Sequence, residues 1–139
     1  MRLLLLLFVC IVPSVLYAQP ARTTLLAPHL HSLRLMVNGN AEQFPVIPLD
    51  GTDQLEVSFD DLTHAYRRYT YSITHCDWQG NPTDALFESD YVDAVADREV
   101  IDDYRPSINT SVQYLHYHFA LPNGHMRPLL SGNYLLTVY

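Results

Sequence analysis

Over much of the chain, apolar and polar residues alternate one by one, which is the period of a half-buried β-strand. In "HSLRLMVNGN", Leu33, Leu35 and Val37 oppose Ser32 and Arg34 before the run meets Asn38-Gly39, a pair that tolerates positive φ and suits a tight turn. "FPVIPL" is a short apolar segment between prolines and is predicted to be an edge strand. "QLEVSFDDL" sets Leu55, Val57 and Phe59 against Glu56 and Ser58. "YRRYTYSITHCDW" sets Tyr69, Tyr71, Ile73 and His75 against Arg68, Thr70, Ser72, Thr74 and Cys76. In "SVQYLHYHFAL", Val112, Tyr114, His116 and His118 share one face, and Leu115, Tyr117, Phe119 and Leu121 the other. Pro122-Asn123-Gly124 then turns the chain, and "SGNYLLTVY" alternates Tyr134, Leu136 and Val138 against Leu135, Thr137 and Tyr139.

The acidic middle lacks this alternation. The spacing after Pro82-Thr83 predicts at most one short helix, over residues 84–95. Many strands with turn signals between them and little helix define an all-β, immunoglobulin-like antiparallel β-sandwich. The sequence stops inside a strand, and the expectation is the first domain of a longer chain.

Charge and the amino terminus narrow the class. The opening "MRLLLLLFVCIVPSVLYAQP" is a positive residue, an apolar run too short to span a bilayer comfortably, and then polar sequence. Residues 1–18 are therefore predicted to be a secretory signal peptide and residues 19–139 the mature β-sandwich domain. Cleavage removes Cys10 and leaves Cys76 alone, so the exported chain has no internal disulfide and depends on packing. With 139 residues, 48% of them hydrophobic and 10 of them tyrosine, one core can be built. The formal net charge is -7, and every fixed cation is an arginine. That balance argues against nucleic acid and anionic membrane surfaces as partners.

Several clusters are candidate sites. His75-Cys76-Asp77 brings together three chemistry-bearing residues, yet on a strand His75 and Asp77 point away from Cys76. No CxxC or protease-like signature surrounds Cys76, which favours a structural thiol. His29-x-His31 and His116-x-His118 each place two imidazoles on one strand face. With His75 on a neighbouring strand, a zinc site of His75, His116 and His118 is the metal alternative. A tyrosine-lined packed face explains the same pattern. The pairs Asp60-Asp61 and Asp102-Asp103 lack the oxygen density and glycine turn of a calcium loop and read as solvated turn acids. The sequon beginning at Asn109 matters only in a eukaryotic secretory route. Ser131-Gly132 lacks the flanks of a nucleophile elbow. No catalytic residue, cofactor or phosphate loop is predicted. Trp78 and exposed tyrosines leave a third reading, a carbohydrate- or surface-binding module.

Five stretches taken in order carry a family resemblance: "VSFDDL", "YTYSITHCDW", "SDYVDAV", "SINTSVQYLHYHFALPNG" and "SGNYLLTVY". Together they resemble the N-terminal domain of the type IX secretion system plug proteins, from about Leu33 to the last residue. The resemblance implies a non-enzymatic role, closing the channel of a giant outer-membrane translocon β-barrel from the periplasmic side. It makes that barrel the expected partner and the periplasm the expected compartment. The matching residues His75, Cys76, Asp77, Trp78, Asn109, Tyr114, Ser131, Gly132, Asn133 and Tyr134 then form a structural signature. The acidic segment around residues 88–103 and the Asn123-Gly124 loop are the expected contacts, since loops carry function on a rigid sandwich.

Overall fold

A computed structural model describes residues 23–139, so the predicted signal peptide lies outside the described residues. Nine strands and one helical turn follow in order: β1 (Leu30–Val37), β2 (Leu55–Asp61), β3 (Tyr69–Cys76), α1 (Glu88–Tyr91), β4 (Val92–Ala94), β5 (Glu99–Ile101), β6 (Asp103–Pro106), β7 (Leu115–Leu121), β8 (Met126–Pro128) and β9 (Asn133–Val138). They form a four-stranded sheet of order β1-β2-β7-β6, a three-stranded sheet β5-β3-β9 and a two-stranded ribbon β4-β8, with antiparallel pairing throughout. Among the described residues, no helix is long and apolar enough to cross a membrane.

The two larger sheets close on each other through the alternating residues. Val57 and Phe59 of β2 and Leu115, Tyr117, Phe119 and Leu121 of β7 meet Tyr69, Tyr71 and Ile73 of β3 in one buried cluster. Ring geometry locks the layers together. Tyr71 stacks on Phe119 at 4.3 Å, while Tyr69 meets both Phe59 and Tyr117 edge-on, arrangements that aromatic quadrupoles favour. Tyr91, Val92 and Met126 bring the β4-β8 ribbon into the same core.

Register defines two ends of the sandwich. Val37, Leu55 and Leu121 are aligned across β1, β2 and β7, so the 38–54 and 122–125 connections leave at one end. Leu30, Asp61 and Leu115 are aligned at the other. Strand β3 starts beside Asp61, where the Tyr69 hydroxyl donates to its carboxylate at 2.8 Å. It passes the first end, where the Tyr71 hydroxyl accepts from Asn123 Nδ2 at 2.7 Å, and runs on to Cys76.

Several expectations need correction. "FPVIPL" is an irregular loop and no strand: Pro45 and Pro48 remove backbone donors, and Phe44 stands 84% exposed with nothing to pair against. Helix in the 84–95 stretch is limited to the single turn α1, after which the chain extends into β4. The strand predicted from residue 111 begins at Leu115, leaving Val112 and Tyr114 in the preceding loop and off the His116 face. His29 and His31 do not share a strand face, because β1 starts at Leu30 and bulges between His31 and Arg34, with Ser32 at φ 55. The alternation of β3 also fails at its end, where Cys76 is buried and His75 half-buried.

Asp61 is the largest departure from the sequence reading. It is fully buried, whereas the pattern made it a solvated turn acid. Burial acts to raise its pKa, but the Thr63 backbone N–H and hydroxyl, the Tyr69 hydroxyl and the nearby His29 together hold it below the ordinary carboxylate value. The Arg67 guanidinium stands 3.7 Å away. Asp61 therefore pins the 62–68 loop to the core, and Tyr117 assists by accepting the Arg67 N–H and donating to the Arg67 carbonyl, each at 3.0 Å.

Candidate functional site

The signature residues split between two places. His75, Cys76, Asp77 and Trp78 end β3, and Ser131, Gly132, Asn133 and Tyr134 begin β9. The β3–β9 register brings His75 opposite Tyr134 and Cys76 opposite Asn133. The His75 ring meets Tyr134 edge-on at 5.3 Å, and its Nδ1 lies 3.0 Å from the Thr83 hydroxyl. A Cβ at position 132 would run into the His75 ring, so any other residue there would force that ring to move. The Tyr134 hydroxyl donates to the Leu130 carbonyl at 2.7 Å, and Asn133 Nδ2 donates to the Asp77 carbonyl at 3.2 Å.

Asp77 shapes the turn that follows. Its Oδ1 accepts the backbone N–H of Gln79 at 2.8 Å and of Asn81 at 3.0 Å, an Asx-type turn. The Asn81 backbone bond is the main cause that holds the Asp77 carboxyl below its ordinary range. Trp78 is left at the tip of this turn, 79% exposed. Asn109 and Tyr114 lie elsewhere, in the loop before β7; Asn109 has φ 56, and the Tyr114 backbone N–H bonds to the Ser107 hydroxyl at 3.0 Å.

The metal alternative required three imidazoles to converge, and the structure separates them. His75 belongs to β3 in one sheet, and His116 and His118 to β7 in the other. His116 Nδ1 is 2.6 Å from Asp60, and His118 Nδ1 is 3.3 Å from Asp103. Among the described residues, no three His, Cys, Asp or Glu side chains gather as a metal site.

The two expected contact segments, some thirty residues apart, do come together. β4 pairs with β8 through Asp93 and Arg127, joined by an ion pair at 3.0 Å, and the Val95 N–H donates to the His125 carbonyl. An open groove of about 530 Å³ beside this ribbon is lined by Glu88, Asp93 and Asp97 together with Val92, Val95 and Leu129. The Asn123 turn is held tightly: its Oδ1 accepts from the His125 and Met126 N–H groups, and its Nδ2 donates to the Ala120 carbonyl. Gln54 donates to the Pro122 carbonyl and ties the 41–54 loop to the same end. Phe44 and Val46 in the 41–54 loop and Trp78 in the turn after β3 are exposed apolar tips. The 41–54 loop, whose apolar run imitated a strand, was not among the expected contacts.

These features define a class: an all-β body of antiparallel sheets closed on one aromatic core. Residues 30–139 match the family model of the type 9 secretion system plug protein 1st domain, and the chain belongs to that family. Family membership ties it to the plug proteins of the type 9 secretion system, of which it matches the 1st domain. A crystal structure of a hypothetical protein from Parabacteroides merdae ATCC 43184 is similar, at 34% identity and a TM-score of 0.77 over 81% of this chain. The match spans 28% of that longer chain. No curated protein matches the sequence.

Proposed function

We propose that this chain is exported by an amino-terminal signal peptide in residues 1–18 and acts in the periplasm at the outer membrane. There, residues 19–139 serve as a non-enzymatic plug domain that closes the channel of the giant type IX translocon β-barrel. The family match over residues 30–139 carries this reading. The fold suits the task physically. A wide pore is blocked by a body that holds its shape, and here the aromatic core joins the sheets while side-chain bonds fix the loops. The contact surface takes in the exposed Phe44, Val46 and Trp78 and the groove beside the β4-β8 ribbon. Aromatic residues of this kind enrich the centres of protein interfaces.

The test is ion conductance through the purified barrel in a planar bilayer. Adding the protein to the periplasmic side should close the open channel, and Trp78→Ala combined with Phe44→Ala should weaken closure. Stable association of protein and barrel without any drop in conductance would refute plugging and leave a different plug-related role.

A further inference from the structure

The direction of the β4 backbone groups follows from the ladder with β8. The Leu129 N–H donates to the Tyr91 carbonyl at 2.8 Å, and the Val95 N–H to the His125 carbonyl at 2.9 Å. The register between them is unbroken, with Val92 opposite Pro128, Asp93 opposite Arg127 and Ala94 opposite Met126. Antiparallel pairs alternate between bonded and non-bonded. Asp93 is therefore bonded to β8, and Val92 and Ala94 turn their backbone groups away from it. The Glu88 carbonyl takes the Val92 N–H at the end of α1, which leaves the Val92 carbonyl and both Ala94 groups. Among the described residues, no strand pairs with that side of β4.

Val92 and Ala94 also line the groove of about 530 Å³, a volume in the range of ligand pockets. Its charged lining is Glu88, Asp93 and Asp97, with no cation among the lining residues. Of the arginines nearby, Arg127 answers Asp93 at 3.0 Å, and the Arg98 guanidinium is engaged 3.7 Å over the Tyr139 ring. Glu88 and Asp97 form no ion pair among the described residues. Val95 is 77% exposed at the groove and Leu129 is exposed beside it. The short side chains of Ser89, Ala94 and Ala96 leave room for a second backbone to approach.

We infer that this groove docks a basic, extended segment of a partner protein, which runs along β4 as a third strand of the ribbon. The outward Val92 and Ala94 groups supply its main-chain hydrogen bonds, and Val95 and Leu129 meet its apolar side chains. Glu88 and Asp97 select lysine or arginine at the positions between, because carboxylates without a cation attract a positive segment and repel an acidic one. The selecting charge is the groove's own: three carboxylates answered by one arginine. The inference rests on the groove as part of the contact surface and not on closure of a channel.

The test places p-benzoylphenylalanine at Ser89 on the groove wall, in the full protein as the source cell makes it, with a control at the exposed Arg34. Illumination should link position 89 to another protein, through a peptide in which lysine or arginine alternates with apolar residues. Ala94→Pro deletes an outward N–H while leaving every bond to β8, and should suppress the link without moving the control. If that variant does not fold, Glu88→Lys with Asp97→Lys reverses charge at two exposed positions and should abolish the link. An acidic or uncharged peptide at position 89, a link to a second copy or within the same polypeptide, no link, or a link that survives charge reversal would overturn the inference. Channel closure is read separately. Closure with no link at position 89 sinks this inference and leaves plugging standing, whereas a basic-peptide link without closure supports this inference and sinks plugging alone.

Discussion

The outward face of the four-stranded sheet carries a run of charged and titratable side chains: Asp60 meets His116 at 2.6 Å, and His118 lies 3.3 Å from Asp103 and 3.8 Å from Glu56. On the three-stranded sheet, the matching positions of β3 and β9 are Ser72, Thr74, Leu135 and Thr137. The inner faces of both sheets are equally apolar, so folding alone does not require this difference. A charged ladder keeps a surface solvated and unpaired, whereas the three-stranded sheet shows mainly hydroxyl and aliphatic side chains, with the Arg98 guanidinium 3.7 Å over the Tyr139 ring. The contrast separates residues that hold the sandwich together from those that decide what it touches.

Substitution tests should follow that separation. Tyr117 is fully buried where both sheets meet, so Tyr117→Ala should cost about 4 kcal/mol in urea unfolding, the range for deleting a core aromatic. Asp61→Asn leaves the Tyr69 hydroxyl facing an amide and should cost about 2 kcal/mol. It should also change the acid limb. The folded carboxyl lies below its ordinary value of 3.8, so its contribution is complete above that pH and is lost as pH falls through the folded value. Melting temperatures of wild type and variant should therefore converge below pH 3.8.

At the alkaline limit the sign reverses. Burial is the main cause that raises Tyr69, Tyr71 and Tyr117 above the ordinary value of 10.0. Their neutral form is stabilised by folding, so stability is intact below pH 10.0 and declines as pH rises beyond it. Tyr71→Phe should flatten part of that decline in a pH-dependent melting series. The smallest effect belongs to the outward ladder. His116→Ala should shift stability by about 0.5 kcal/mol or less and lose even that in high salt, because the pair is half-exposed. A cost as large as that of Asp61→Asn would mean that the ladder is part of the structural frame and would break the comparison.

The sequence made much of this frame legible. Alternation located β2, β3, β7 and β9, and Asn38-Gly39 forms its turn with φ 50 and 78. Three of the remaining strands, β4, β5 and β6, were hidden because three or four residues with acids among them show no period. Asp61 was misread because local pattern cannot reveal a tyrosine hydroxyl arriving from the next strand. The clasp between His75 and Gly132 was visible only as two motifs; their meeting depends on β3–β9 pairing across more than fifty residues.

The central claim, that the loops carrying Phe44, Val46 and Trp78 make the contact with the secretion machinery, is tested most directly by hydrogen exchange on the protein bound to the purified translocon barrel. Amides of residues 41–54, 77–81 and 122–127 should slow on binding, while the outward face of β2 and β7 stays unchanged. Protection confined to β2, β6 and β7, with those loops exchanging as in the free protein, would contradict the account.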